Sequence, residues 1–534
     1  MAIAATPQKG KKIIASKHRG GRIWTIFRIL ALFTKHPIKM PKVNKLKKYV
    51  VISRVLVLLV IIAAIFIVYN MQKPPIGMGE LPDQFLHDHQ VSAFDPAAFE
   101  VRRQRIVDHL DADIIIISTA VNPDFRYVTG FYERSGIAVI LPGEAEGYHL
   151  FVTPWEIYTV MWTGEVYGKE GALEVFGADK AHALADFDEV LAGLLHGRER
   201  IALHSGDRQV RGQVADLLEK EGRTAEIVEL APVLHELRVI KDDWEIAQTR
   251  QAADVTVKAH QFALQTVRPG LREYEVQANV EYIFRRNGLR PGFSTIIASG
   301  PNTCLLHHRP GDRILRDGDL VKMDFGAASP GGYIVDVTRT IPASGRFSPK
   351  QRTIYELVLK ANTAAMTKMG PGYRMLDPHH HAIGILVEGL HEMGLIPDTT
   401  SWWQKRFYIQ HRVNHFIGLT THDVSDYGYD ISDRNIYILN HDLRGREMKP
   451  GMIMSNEPGL YFMEGLLDGI HEMFGHLASE EELNAFVEAV RPIYEQYEGI
   501  GVRIEETILI TEDGNINLSA GVPRSVEDIE RAMR

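Results

Sequence analysis

Apolar residues follow one another without a break from 55 to 69 (VLVLLVIIAAIFIVY), and YVVIS at 49–53 extends the run past Arg54 to about the length that crosses a bilayer. This predicts a transmembrane helix over 49–70. Residues 71–97 contain PP, IGMG and scattered polar residues with no sustained period, the pattern of a linker. Periodicity then returns. FEVRRQRIVDHL (99–110) has helical spacing, and DIIIIST (113–119), GIAVILPG (136–143), YHLFVTP (148–154) and RIALHS (200–205) are short apolar runs of strand length. A second region opens with one long helical pattern over 234–264 and another at EYEVQANVEYIFRRNG (273–288). The strand-like runs TIIASG (295–300), LVKMDFGA (320–327) and YIVDVTRTI (333–341) follow. Helical and strand patterns alternate, so the class is α/β. The predicted organisation is a basic segment 1–48, the helix 49–70, the linker 71–97, an α/β domain 98–232 and a second domain 233–534.

Charge sharpens the two ends of this scheme. Residues 1–48 hold ten Lys, three Arg and no acid, which leaves 47 basic against 68 acidic residues in the remainder. So acidic a body argues against nucleic acid as a partner. Positive charge ahead of the apolar run predicts a cytoplasmic N-terminus and the bulk of the protein outside the cytoplasm, anchored to the membrane by a single pass. A processed or misassigned N-terminus, read as a transit peptide or a start at Met40, would instead place the body in the cytoplasm or an organelle. Cys304 is the one cysteine, which excludes a disulfide framework and a cysteine-rich zinc site.

Five residues carry the candidate chemistry: Asp324, Asp336, His415, Glu457 and Glu505. Each sits in or beside an apolar stretch: DLVKMDFGAA, GYIVDVTRTI, HRVNHFIGLTTHDV, MIMSNEPGLYF and GVRIEETILIT. A lone strand aspartate is usually a surface residue. Five acids and imidazoles in apolar runs are different, because a buried carboxylate is costly unless it is paired or metal-bound. Four carboxylates and one imidazole match the charge that a pair of divalent ions brings, which makes a two-metal hydrolase the leading expectation. Arg503 and Glu505 share a strand face and can pair.

These stretches, with LRVIKDDWEIAQTRQAADVT and STIIASGPNTCLLHH, resemble the M24 metallopeptidases of the pita-bread fold, in their proline-specific branch. DFRYVTGFYE (124–133) and MWTGEVYGKEGALEVFGADKA (161–181) resemble the aminopeptidase P N-terminal domain. The resemblance spans about 430 residues and excludes residues 1–90. It implies two metal ions, usually Mn²⁺, with Asp336 and Glu505 shared by both, Asp324 on one, and His415 and Glu457 on the other. It also implies a hydroxide between the ions as nucleophile, Glu457 as proton acceptor and donor, His307 as proton shuttle, and His422 at the developing oxyanion. His411, Tyr461 and Arg503 would line or orient the substrate site, and a homo-oligomer is expected.

The substrate expected on this resemblance is a peptide with proline in second position, cleaved at the Xaa-Pro bond. A prolidase restricted to Xaa-Pro dipeptides is the alternative, because the insertion opening YFMEGLLD and the stretch LRGREMKPG resemble prolidases. Arg444 would then clamp the dipeptide carboxylate. A non-catalytic binding protein is less favoured, since unused buried carboxylates would be lost. Two departures from the family pattern stand out: one extra residue at Ser329–Gly332, and Arg412 where glycine is usual. His471 and His476 lie five apart and do not make a zincin pair. His379–His381 follow a helix start, where capping is expected. Cys304 lacks an orienting third group, which argues against a thiol nucleophile.

Overall fold

Every residue of Ile114–Ser118 (β1) is buried, and this strand lies at the middle of the first domain. The computed structural model describes Phe85 and residues 94–534 except 425 and 430–441. With β2 (Gly136–Ile140), β3 (Tyr148–Val152), β4 (Lys180–Ala183), β5 (Arg200–Leu203) and β6 (Glu226–Glu229), β1 forms a six-stranded sheet ordered β4-β3-β2-β1-β5-β6. The pairs β1–β2 and β2–β3 are antiparallel, and the others are parallel. Alternate side chains of a strand leave by opposite faces. Accordingly Ile115 and Ile117 enter one apolar core, and Ile114 and Ile116 enter another. Two covered faces explain why β1 reads as an unbroken isoleucine run.

The second domain begins where the sequence pattern suggested one long helix. Two helices stand there instead, Ala231–Val239 and Asp243–Thr266. Asp242 breaks the run because it caps the second helix, accepting from the Glu245 amide while Glu245 accepts from the Asp242 amide.

Small antiparallel sheets follow, the first joining β7 (Arg290–Pro291) and β10 (Ala327–Ala328). Another is ordered β11-β9-β8, from β8 (Ile296–Ser299), β9 (Leu320–Asp324) and β11 (Thr338–Pro342). The segment read as a strand over 333–341 pairs regularly only from Thr338, so Asp336 lies in the extended link before β11. A third sheet joins β12 (Ile453–Asn456), β15 (Glu506–Thr511) and β16 (Gly514–Asn517), and β13 (Gly459–Tyr461) pairs with β14 (Gly501–Arg503). The helix Pro349–Met366 packs on these strands and against the helix Asp377–Glu392, and both contribute to the largest apolar core.

The membrane reading requires correction. No helix among the described residues is long and apolar enough to cross a membrane. The helix predicted over 49–70 lies outside the described residues, and the single-pass topology built on it is withdrawn.

Candidate metal centre

The carboxylates and the imidazole sit where strands stop or change partner. Asp324 ends β9 and faces Thr338 across the pair with β11. Glu457 lies between β12 and β13, and Glu505 lies between β14 and β15. Backbone bonds then join the sheets. The Glu505 amide donates to the Thr338 carbonyl at 3.0 Å, and the Asp336 amide donates to the Thr507 hydroxyl at 2.9 Å. The His415 segment is tied to β12: its amide donates to Ser455 Oγ at 3.0 Å, and the Glu457 amide donates to the Val413 carbonyl at 2.7 Å. Ligand candidates from five separate stretches are thereby brought together.

One donor atom each from Asp336, His415 and Glu505 lie within 4.8 Å of one another, and all three residues are buried. Nε2 of His415 is 3.3 Å from Glu457 Oε1 and 3.7 Å from Asp336 Oδ2. His415 Nδ1 stands 3.0 Å from the Phe416 carbonyl, which can only accept. That nitrogen therefore carries the hydrogen, and Nε2 presents its lone pair to the carboxylates, the tautomer a metal needs. Burial, and then neighbouring His422, hold the His415 pKa well below the usual imidazole range, which favours the neutral ligand form. Asp324 accepts from Arg503 Nη2, the anchor that the strand pattern assigned to Glu505. Arg503 Nε is 3.9 Å from Glu505 Oε2 and 3.1 Å from Thr338 Oγ1, and that hydroxyl donates to Glu505 at 2.7 Å.

The donor set fits divalent cations. Asp324 Oδ1, Asp336 Oδ1 and Glu505 Oε1 are buried and accept no hydrogen bond from the protein. Burial pushes the carboxyl groups of Asp336 and Glu505 well above their ordinary values, and the neighbouring Asp324 and Asp336 carboxylates add to this. Burial likewise pushes Glu457 up to about 7. One guanidinium cannot offset so many clustered acids. Oxygen-rich sites with one imidazole are characteristic of divalent ions rather than of a thiolate zinc site.

A cavity of about 300 Å³ opens onto this cluster, lined by His307, His411, Arg412, His415, His422, Glu457 and Arg503, among others. The rings of His415 and His422 lie 4.2 Å apart. His411 Nδ1 faces the Arg412 carbonyl at 2.8 Å, so its Nε2 accepts from the Tyr461 hydroxyl at 2.9 Å. Arg444 lies elsewhere. It pairs with Asp377 through both nitrogens of its fork, with Nη2 at 2.7 Å, and does not line the cavity. Its expected contact with substrate has no support in this geometry. Arg412 lines the cavity instead, with its guanidinium 5.0 Å over the Tyr427 ring. The sequence singled out Arg412 only as a departure from glycine, although a cation beside a pocket histidine was the available signal.

Residues 247–512 match metallopeptidase family M24, and residues 99–204 match the aminopeptidase P N-terminal domain. The Xaa-Pro aminopeptidase of Escherichia coli K12 is 32% identical over 466 residues, which is 82% of this chain and 97% of that protein. The chain belongs to metallopeptidase family M24. Its solved relatives include the Pseudomonas aeruginosa aminopeptidase PepP, similar with a TM-score of 0.70 at 32% identity over 82% of this chain and 98% of that one. The human Xaa-Pro dipeptidase is 31% identical over 72% of this chain and 78% of its own length. The pita-bread M24 fold with an aminopeptidase P-type domain ahead of it is thus the architecture of the described residues, and divalent metal ions are its cofactors.

Proposed function

We propose that this M24 peptidase removes the N-terminal residue from peptides that carry proline second, using two divalent ions held by Asp324, Asp336, His415, Glu457 and Glu505. The observation that carries the metal-dependent reading is the convergence of Asp336, His415 and Glu505 with unsatisfied buried oxygens beneath a cavity. Similarity at 32% identity along 97% of the Escherichia coli Xaa-Pro aminopeptidase favours the aminopeptidase substrate. Mn²⁺ suits this oxygen-rich set best.

When bound, the ions supply a water acidic enough to give hydroxide near neutral pH, and they polarise the scissile carbonyl. The protein does the rest. Glu457 takes the water's proton and returns it to the leaving nitrogen. His422, at the cavity mouth, donates to the carbonyl oxygen as negative charge develops there. His307 moves a proton at the same mouth. His411 lines one wall and is held there by the Tyr461 hydroxyl, and Arg503 fixes Asp324 directly and Glu505 through Thr338.

Self-association is supported by the helix Ile157–Thr163, which buries none of its residues and exposes Ile157, Tyr158, Met161 and Trp162 together.

One observation favours dipeptides: Arg412 places a cation in the cavity wall, where it would meet the carboxylate of an Xaa-Pro dipeptide. Offering Mn²⁺-loaded protein both Xaa-Pro and Xaa-Pro-Yaa separates the two. Cleavage of the tripeptide supports the aminopeptidase, and cleavage of the dipeptide alone overturns it.

A further inference from the structure

Lys322 is the buried charged group at this site that the proposed reaction leaves unused. It is the third residue of β9, two before Asp324, and it is fully buried. Taking an ammonium group out of water is strongly unfavourable unless a carboxylate or good acceptors receive it. Among the described residues no carboxylate lies within ion-pair distance of Lys322 Nζ. Arg503, itself cationic, is close enough to disfavour the charge further. A leucine or methionine would fill the same strand position at no such cost.

The amine has two acceptors and one aromatic face. Nζ donates to the Leu305 carbonyl at 2.7 Å and reaches the Leu306 carbonyl at 3.5 Å. It also stands 5.3 Å from the centre of the Tyr461 ring. Leu305 and Leu306 are the two residues immediately before His307. On the far side of His307, the next residue is held as well: His308 Nε2 bonds Glu273 Oε2 at 2.7 Å. His307 itself is exposed at the cavity mouth. A catalytic side chain on an irregular turn has no ladder of backbone bonds to place it, so its position depends on such flanking anchors. An amine donates these bonds whether or not it is charged, so the anchor does not depend on the protonation of Lys322.

We propose that Lys322 is a positioning residue for hydrolysis, holding the Leu305–Leu306 carbonyls so that the turn presents His307 to the substrate. The inference rests on the reading of His307 as a proton carrier.

The test compares metal-loaded full-length wild type with Lys322→Met, Lys322→Gln, His307→Ala and the double variant Lys322→Met/His307→Ala. Metal content, kcat, KM and amide hydrogen exchange over 304–308 are measured for each. Lys322→Met should keep its metal and its KM within about twofold, and lose kcat by about tenfold or more, since small misplacements of reacting groups carry large rate penalties. Amides 304–308 should exchange faster. Gln, whose carboxamide still donates, should restore part of both. In the His307→Ala background the lysine change should add no further loss. Unchanged exchange at 304–308, loss of metal from Lys322→Met, or losses that multiply in the double variant would each overturn the proposal. Wild-type kcat in His307→Ala would remove the role of His307 alone, and the exchange data would still decide whether Lys322 holds the turn. If Lys322→Met does not fold, Lys322→Gln carries the same comparison.

Discussion

His415 Nε2 and Glu457 Oε1 stand 3.3 Å apart, and His415 gives its only ring hydrogen to the Phe416 carbonyl from the other nitrogen. Two lone pairs face each other across that gap. Only a proton or a cation between them relieves the repulsion, and Asp336 and Glu505 close in from the side. Chelation should therefore abolish hydrolysis and lower Tm, and added Mn²⁺ should restore both. Activity and melting curves recorded on the same chelated and reloaded samples, with metal counted by mass spectrometry, check this.

His422→Ala should lower kcat by about 10²-fold, the usual consequence of losing one donor to a developing oxyanion, with a smaller change in KM. Cys304→Ser should leave kcat unchanged. Burial pushes that thiol up to about 12, so it carries no thiolate at neutral pH. Steady-state kinetics on the two variants distinguishes a metal-assisted route from thiol catalysis.

Gly326 lies between the two aspartates, where a Cβ would collide with the Val335 carbonyl oxygen. Backbone cannot give way as a flexible side chain can. Gly326→Ala should push apart the segments that carry Asp324 and Asp336, so metal should be lost and stability should fall by about 2 kcal/mol or more. Metal content after dialysis and a denaturant titration measure the two effects.

Arg238 binds two domains together. It donates to Asp124 Oδ1 at 2.6 Å, and also to Asp423, the residue after His422. Arg238→Met takes the guanidinium from Asp124, which keeps His204 and His235, and from Asp423, which keeps Lys241 at 3.8 Å, and should cost about 3–5 kcal/mol, read from denaturant unfolding.

The same cluster predicts a pH dependence. Burial alone would raise the Asp124 pKa, yet hydrogen bonds from His204 and His235 and the charge of Arg238 outweigh it and hold the group below the ordinary carboxylate range. A depressed pKa stabilises the fold above the unfolded value, about 4, and that contribution is lost as pH falls through the folded value. Asp124→Asn should therefore melt below wild type at pH 7, and the difference should narrow below about pH 4. Melting curves across this range test the sign.

Arg412→Ala and Arg444→Ala separate the two candidate carboxylate clamps. Arg444 is already taken by Asp377, so its loss should leave KM for either substrate unchanged. Loss of Arg412 should raise KM for Xaa-Pro dipeptides more than for Xaa-Pro-Yaa, as measured by initial rates.

The sequence by itself determined the α/β class, and it nominated two domains and five ligand candidates. Runs such as 113–119 show their period locally, and a carboxylate within an apolar run is anomalous whatever the fold around it. Local pattern also misled. The helix over 234–264 is broken by the Asp242 cap, and the strand through Asp336 starts two residues later, because capping and pairing compete with periodicity. Only the tertiary structure decided which groups meet. Arg503 went to Asp324 as well as toward Glu505, Arg444 went to Asp377, and Arg412 and Lys322 came to the site. Arg503 meets Asp324 because strands more than a hundred residues apart are stacked together, and Arg444 meets Asp377 because a helix start lies against a distant loop. Hydrogen bonds and charge pairs act over a few ångströms, and spacing along the chain does not encode that distance.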